Sequence, residues 1–290
     1  SSMNYLIKFL KIFLVLIISS AICILLFFVR LDMSLDELKL KYTNKHSSFI
    51  SMNGMDVHFR DEGNQTDSIP IILIHGTGSS LHTFDTWVNN LKDSSRVIRM
   101  DLPAFGLTGP FPDQDYSISN YTSFLKEFLI ALKVKQCVLA GNSLGGEIAW
   151  NFTLDQPHMV KKLILIDAAG QPETSKSVPI AFKLGQIPVV NKLLNYITPR
   201  FIVRASIEDV YSDKSKVTDS LVDRYLELTL RKGNRQAFVD RLKVSSNSNY
   251  NNIKNIKQST LILWGAEDLL IPVENAYKFQ RSIPNNVLVI

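Results

Sequence analysis

The chain has 290 residues, 46% of them apolar, with 13 glycines, 11 prolines and a formal net charge of +5. That length holds one large α/β domain with an insertion or two small domains, and the composition excludes wholesale disorder. No basic block with interleaved aromatics occurs, which excludes a nucleic-acid-binding reading, and two cysteines (Cys23, Cys137) make neither a disulfide framework nor a metal-ligand spacing.

Residues 12–29 carry no charge, with Lys8 and Lys11 before them and Arg30 after. As a helix rising ~1.5 Å per residue, the run would be ~27 Å long, close to the hydrocarbon core of a bilayer. Ser19 and Ser20 can bond back to the helix backbone, and no small-x-small cleavage site follows. Residues 1–30 are therefore expected to be a single-pass membrane anchor, with residues 5–30 in contact with lipid. Lys8 and Lys11 favour an inner N-terminus and a domain outside the cytoplasm, while Arg30, Lys39, Lys41 and Lys45 pull the other way. Residues 31–48 read as a charged stalk.

From Phe49 onward, short β-rich runs alternate with helical patterns, as in a mostly parallel sheet flanked by helices. Strands are expected at 55–60, 69–74, 97–100, 136–140 and 163–166, and helices at 121–132 and 144–152. The rhythm breaks after Gly170. Residues 171–257 contain no comparable strand, 181–196 and 221–242 have helical apolar spacing, and 245–252 are polar. A stretch this long is not a loop, and it reads as a helical lid between two parts of one core, 49–170 and 258–290. Strands resume at 261–264 and 287–290. The fold class is α/β.

Gly141-Asn142-Ser143-Leu144-Gly145 is a G-x-S-x-G match between a strand and a helical pattern, the context this motif requires. A tight strand-to-helix turn exposes the serine oxygen at a helix N-terminus, where N–H groups favour developing negative charge. His75-Gly76-Thr77-Gly78-Ser79 follows the strand at 69–74. Its residue types suit a loop whose backbone amides face a cleft. The N–H groups of Thr77 and Leu144 are the candidate oxyanion hole, with Gly76 and Asn142 bordering the substrate. His75 reads as a brace for the loop. The glycines at 141–146 lack dinucleotide spacing, and no metal, nucleotide or flavin is implied.

From residue 49 to residue 290 the chain resembles the α/β-hydrolase superfamily, with the motifs in the family's order. Asp101-Leu102-Pro103-Ala104-Phe105-Gly106 is similar to the family's D-x-P-G-x-G turn, with Ala104 in place of a glycine. Leu263-Trp264-Gly265-Ala266-Glu267-Asp268 resembles the segment that supplies the acid. The resemblance implies that Asp268 is the triad carboxylate, with Asp167 and Glu267 as rivals. Gly-Asn-Ser-Leu-Gly-Gly is similar to the meta-cleavage-product C–C hydrolases and to capped esterases.

In this fold the order is serine, acid, histidine. All five histidines (46, 58, 75, 82 and 158) precede Asp268, so the expectation is a chain that stops short of its catalytic base. The expected activity is hydrolysis of a small apolar ester or acyl compound through an acyl-enzyme on Ser143. A first alternative is C–C cleavage of vinylogous diketones, with Arg235 holding a substrate carboxylate; the other role for Arg235 is a lid-bracing ion pair. A second alternative is a membrane-tethered binding protein without catalysis.

Overall fold

The computed structural model describes residues 2–172, 175–244 and 249–290. Four residues of the polar stretch 245–252 therefore lie outside the described residues. Eight strands form one sheet: β1 (Ser47–Met52), β2 (Met55–Gly63), β3 (Ile71–Ile74), β4 (Arg96–Met100), β5 (Cys137–Asn142), β6 (Val160–Ile166), β7 (Ser259–Leu263) and β8 (Asn286–Val289). Their order is β1-β2-β4-β3-β5-β6-β7-β8. The β1–β2 and β2–β4 pairs are antiparallel and the others parallel. Asn53 and Gly54, both at positive φ (52° and 75°), make the two-residue turn between β1 and β2.

The central strands read as continuous apolar runs because both faces are covered. Ile72 and Ile74 of β3, Ile98 and Met100 of β4 and Leu139 of β5 join the larger core cluster. Leu73, Val97 and Ala140, each one position out of phase, pack on the other face with Phe84 and Val88. The larger side is closed by α4 (Ile118–Ala131) and α5 (Leu144–Asp155), and the smaller by α3 (Asp85–Leu91).

The N-terminal part begins with α1 (Ser2–Phe28) and α2 (Leu35–Tyr42). The window Met3–Phe28 is long and apolar enough to cross a membrane, and none of it is buried by the rest of the chain. The segment expected to be a stalk is folded onto the domain instead. Ser34 and Glu37 form a capping box that starts α2, and Leu38 is buried against Leu107 and Leu228. Glu227 accepts hydrogen bonds from Lys41 Nζ and Tyr42 Oη, both at 2.8 Å. β1, which precedes the strands expected from Met55 onward, is a half-exposed edge strand. Its serines hide the alternation by which strands are read from sequence.

Between β6 and β7 the described residues form α6 (Ile180–Gln186), α7 (Val190–Leu193), α8 (Arg200–Glu208), α9 (Asp219–Thr229) and α10 (Asn234–Lys243). The helical runs expected at 181–196 and 221–242 are each broken in two. Pro188 bars the residue before it from helical conformation, and Ile187 is extended (φ −82°, ψ 118°). Gly233 takes a left-handed conformation (φ 91°) and starts α10 in a new direction. After β7, α11 (Glu274–Ser282) leads to β8.

Candidate active site

Ser143 sits between β5 and α5 with φ 53° and ψ −117°, a conformation that side-chain-bearing residues rarely adopt. Such a conformation costs roughly 1–3 kcal/mol and persists only where the surroundings impose it. Here, Ser143 N donates to Ile166 O (3.1 Å), and Ser143 O accepts from Glu147 N and Ala169 N (both 3.0 Å). The neighbouring glycines let the turn close. A Cβ at Gly141 would stand 2.1 Å from Gly145 O, one at Gly145 would stand 2.2 Å from Ile74 O, and one at Gly146 would stand 2.5 Å from Ala168 Cβ. The Ser143 side chain borders a cavity of about 330 Å³. Leu144 opens α5, so its N–H has no partner within the helix.

The loop after β3 lies against this turn. A Cβ on Gly76 would fall 3.0 Å from Ser143 Cβ and 3.1 Å from Asn142 Oδ1. Asn142 Nδ2 donates to Ile166 O at 3.1 Å. Gly76, Thr77, Asn142 and Ser143 all border the cavity. His75 is buried behind the loop, where Leu102 N donates to its Nε2 (2.9 Å). That bond leaves the ring proton on Nδ1, which donates to Gly76 O at 2.8 Å. Burial holds its pKa below the ordinary imidazole value.

Asp101 anchors the far end of the loop. Its Oδ1 accepts from Leu81 N (2.8 Å), and its Oδ2 accepts from Leu107 N (2.8 Å) and His58 Nδ1 (2.7 Å). Burial opposes the charge, but the hydrogen bond from His58 and the attraction of His58, His82 and His75 together outweigh it and hold the carboxyl well below the usual range. Gly106 is required here because a Cβ would stand 2.2 Å from Asp101 Cγ. Ala104, which replaces a glycine of the motif, is buried at φ 87°.

Two acids reach the cavity, Asp167 after β6 and Asp268 after β7. Asp268 Oδ1 accepts from Leu270 N and Ile271 N, both at 2.8 Å. Burial raises its pKa against these bonds. Asp167 Oδ1 accepts from Gly265 N at 2.8 Å. Burial, with Asp268 adding to it, pushes the Asp167 pKa up to about 6. Glu267 points elsewhere and accepts from Ser212 Oγ.

The remaining walls come from the insertion and are mainly apolar, with Phe182, Leu194, Ile202, Val203 and Phe238 among them. Ser79 Oγ and Tyr225 Oη, 3.0 Å apart, tie the β3 loop to α9. Arg235 borders the cavity but is engaged on its other side: Nη2 donates to Asp32 Oδ1 (2.6 Å) and Nη1 to Thr198 Oγ1 (3.3 Å). Asp32 belongs to the segment just after α1 and lies 203 positions away in sequence, so no local signal pointed to this partner.

None of the five histidines borders the cavity. His58 and His75 are buried as described. His82 is packed between Ser80 Oγ (3.0 Å) and Tyr42 O (3.1 Å), and His46 and His158 are exposed.

A serine on a strained strand-to-helix turn, over a mostly parallel sheet, beside the loop after β3 and facing a cavity defines a hydrolase of the α/β class. The chain belongs to the alpha/beta hydrolase fold family, whose model it matches over residues 69–290. It is 26% identical over 242 residues to the 2-hydroxy-6-oxo-2,4-heptadienoate hydrolase of Pseudomonas putida, covering 79% of this chain and 82% of that one. A solved meta-cleavage product hydrolase from Pseudomonas fluorescens IP01 superposes with a TM-score of 0.69 at 25% identity, over 83% of this chain and 87% of that one. A solved membrane phospholipase A shares the fold, with a TM-score of 0.69 and 22% identity over 98% of this chain and 90% of its own.

Proposed function

We propose that the protein hydrolyses small apolar esters or related acyl compounds through an acyl-enzyme on Ser143. The observation that carries this reading is the imposed backbone at Ser143, which presents a hydroxyl to an apolar cavity at the N-terminus of α5. In this reading, Ser143 Oγ attacks the acyl carbon while a general base takes its proton and delivers it to the leaving alcohol. Water then attacks the acyl-enzyme, and the serine regains its proton. The N–H groups of Thr77 and Leu144 hold the oxyanion, each contributing ~3–4 kcal/mol to the transition state. Asp268 orients the base and stabilises its charged form. Gly76 and Asn142 border the acyl group, and the helices between β6 and β7 act as a lid. Residues 1–30 anchor the enzyme in a membrane, with the domain outside the cytoplasm.

None of the five histidines borders the cavity, and in this fold the histidine follows the acid in chain order. Activity is measured on the full-length protein. A serine-directed phosphonate should label that protein at Ser143, and an acyl-length series of esters should be turned over. Ser143→Ala should abolish both. Turnover that survives Ser143→Ala refutes the reading.

The named C–C hydrolases among the relatives favour a second reading, cleavage of a carboxylated diketone with Arg235 on the carboxylate. The ion pair with Asp32 weighs against it, because the charge of Arg235 is already balanced. Arg235→Ala would selectively impair carboxylated substrates under the second reading and treat neutral and carboxylated substrates alike under the first.

A further inference from the structure

We infer that the outer face of the segment running from α7 into α8 rests on the lipid bilayer beside α1, and that the substrate is an acyl lipid of that bilayer. The substrate half of the inference rests on the proposed acyl hydrolysis at Ser143, whereas the docking half does not.

The foot of α1 is built into this segment. Val29 bridges to Ile197, Arg30 N donates to Tyr196 O (2.9 Å), and the Phe28 ring meets the Phe201 ring edge-on at 5.8 Å. Asp32, two residues further on, is clamped to Arg235. The geometry at the exit of α1 is therefore fixed.

That fixed geometry sets how far the segment can be from lipid. A hydrocarbon core of about 30 Å inside a bilayer of about 40–45 Å leaves roughly 5–8 Å of headgroup layer on each side. Arg30 is two residues beyond the end of α1, at most ~7 Å of extended chain. If α1 spans the membrane, a carbonyl bonded to Arg30 lies within the headgroup layer, and so do its neighbours.

The side chains there suit that environment. Leu193, Tyr196 and Phe201 are 48%, 65% and 59% exposed, an apolar surface that water alone would disfavour. Among them stand the exposed cations Arg30 and Lys192, with Lys183 on the preceding helix. Apolar and aromatic side chains mixed with lysine and arginine are the composition of a surface seated at an anionic headgroup layer.

The same segment is also a wall of the cavity. Leu194, Thr198, Ile202 and Val203 border the space in front of Ser143, interleaved in sequence with the exposed Leu193, Tyr196 and Phe201. One layer of chain therefore separates the apolar cavity from the face that meets the membrane. A water-soluble substrate gains nothing from this arrangement.

The test uses the full-length protein, reconstituted in phosphatidylethanolamine–phosphatidylglycerol vesicles. On a Cys23→Ser background, an environment-sensitive fluorophore is placed at Tyr196→Cys and, as a control, at Lys135→Cys, which lies beyond the opposite end of β5. Lipids doxyl-labelled near the headgroup should quench the label at 196 several-fold more than the label at 135. Equal, weak quenching at both positions overturns the docking. The second arm compares Leu193→Asp/Phe201→Asp with the parent on a long-chain ester embedded in the vesicles and on a short soluble ester. Turnover of the embedded ester should fall more than tenfold and that of the soluble ester less than twofold. Unchanged turnover of the embedded ester, or a parallel loss on both, overturns the lipid-substrate inference. If Ser143 is not catalytic, neither ester is hydrolysed even by the parent, while the quenching difference remains.

Discussion

Replacing Asp101 with asparagine tests how the loop after β3 is held. The carboxylate is fully buried and accepts three hydrogen bonds, from Leu81 N, Leu107 N and His58 Nδ1. An amide has only one acceptor oxygen. Whichever way the substituted side chain turns, its NH2 faces a buried backbone N–H, that of Leu81 or that of Leu107. Leaving one such donor unsatisfied costs about 1–3 kcal/mol, and weakening the remaining charge-assisted bonds adds about 1 kcal/mol each. Asp101→Asn should therefore lose ~3–5 kcal/mol. At 2–4 °C per kcal/mol for a domain of this size, Tm should fall by roughly 6–20 °C.

Urea titration and thermal melting of parent and variant in the same micelles would measure the loss. The pH dependence provides a second check. Asp101 has a folded pKa below its unfolded value, so its contribution is present above about pH 4 and is lost as pH falls through the folded value. The gap between parent and variant should narrow in acid. A loss below about 1 kcal/mol at neutral pH would refute the reasoning, because it would mean that water or a local shift satisfies the stranded N–H.

Gly76→Ala would place a methyl 3.0 Å from Ser143 Cβ and 3.1 Å from Asn142 Oδ1. Stability should change by less than about 1 kcal/mol, but phosphonate labelling of Ser143 should slow by up to about tenfold, because relieving the contact shifts the neighbours by a fraction of the ~1 Å misplacement that costs roughly 10²-fold. The pKa of Asp167 is raised by burial to about 6. Its folded pKa exceeds the unfolded one, so its own contribution to stability is greatest in acid and declines as pH rises from about 4 through 6. Asp167→Asn should flatten that decline and gain on the order of 2–3 kcal/mol at pH 8 in urea titrations. Asp32→Ala leaves the guanidinium of Arg235, only 6% exposed, with Thr198 alone, although Asp32 itself is 43% exposed. Solvent screening limits the expected loss to ~1–2 kcal/mol, and protease should cut the 29–33 segment faster.

The sequence alone determined what short-range physics controls. Apolar runs such as Ile71–Ile74 and Leu163–Ile166 had to be strands covered on both faces, and a serine flanked by Gly141, Gly145 and Gly146 had to lie on a tight strand-to-helix turn, because only glycine permits backbones to approach within the distances found there. Tertiary structure decided the rest. α2 and the start of β1 occupy what reads as a stalk, since a half-buried edge strand and an eight-residue helix carry too little periodicity to be seen. Both Asp167 and Asp268 face the cavity, because the ends of β6 and β7 are neighbours in the sheet and not in the chain. Arg235 meets Asp32 only because the foot of α1 is stitched to the segment before α8. Pairings across such separations depend on how distant surfaces fit when the chain closes, and local residue patterns do not encode that fit.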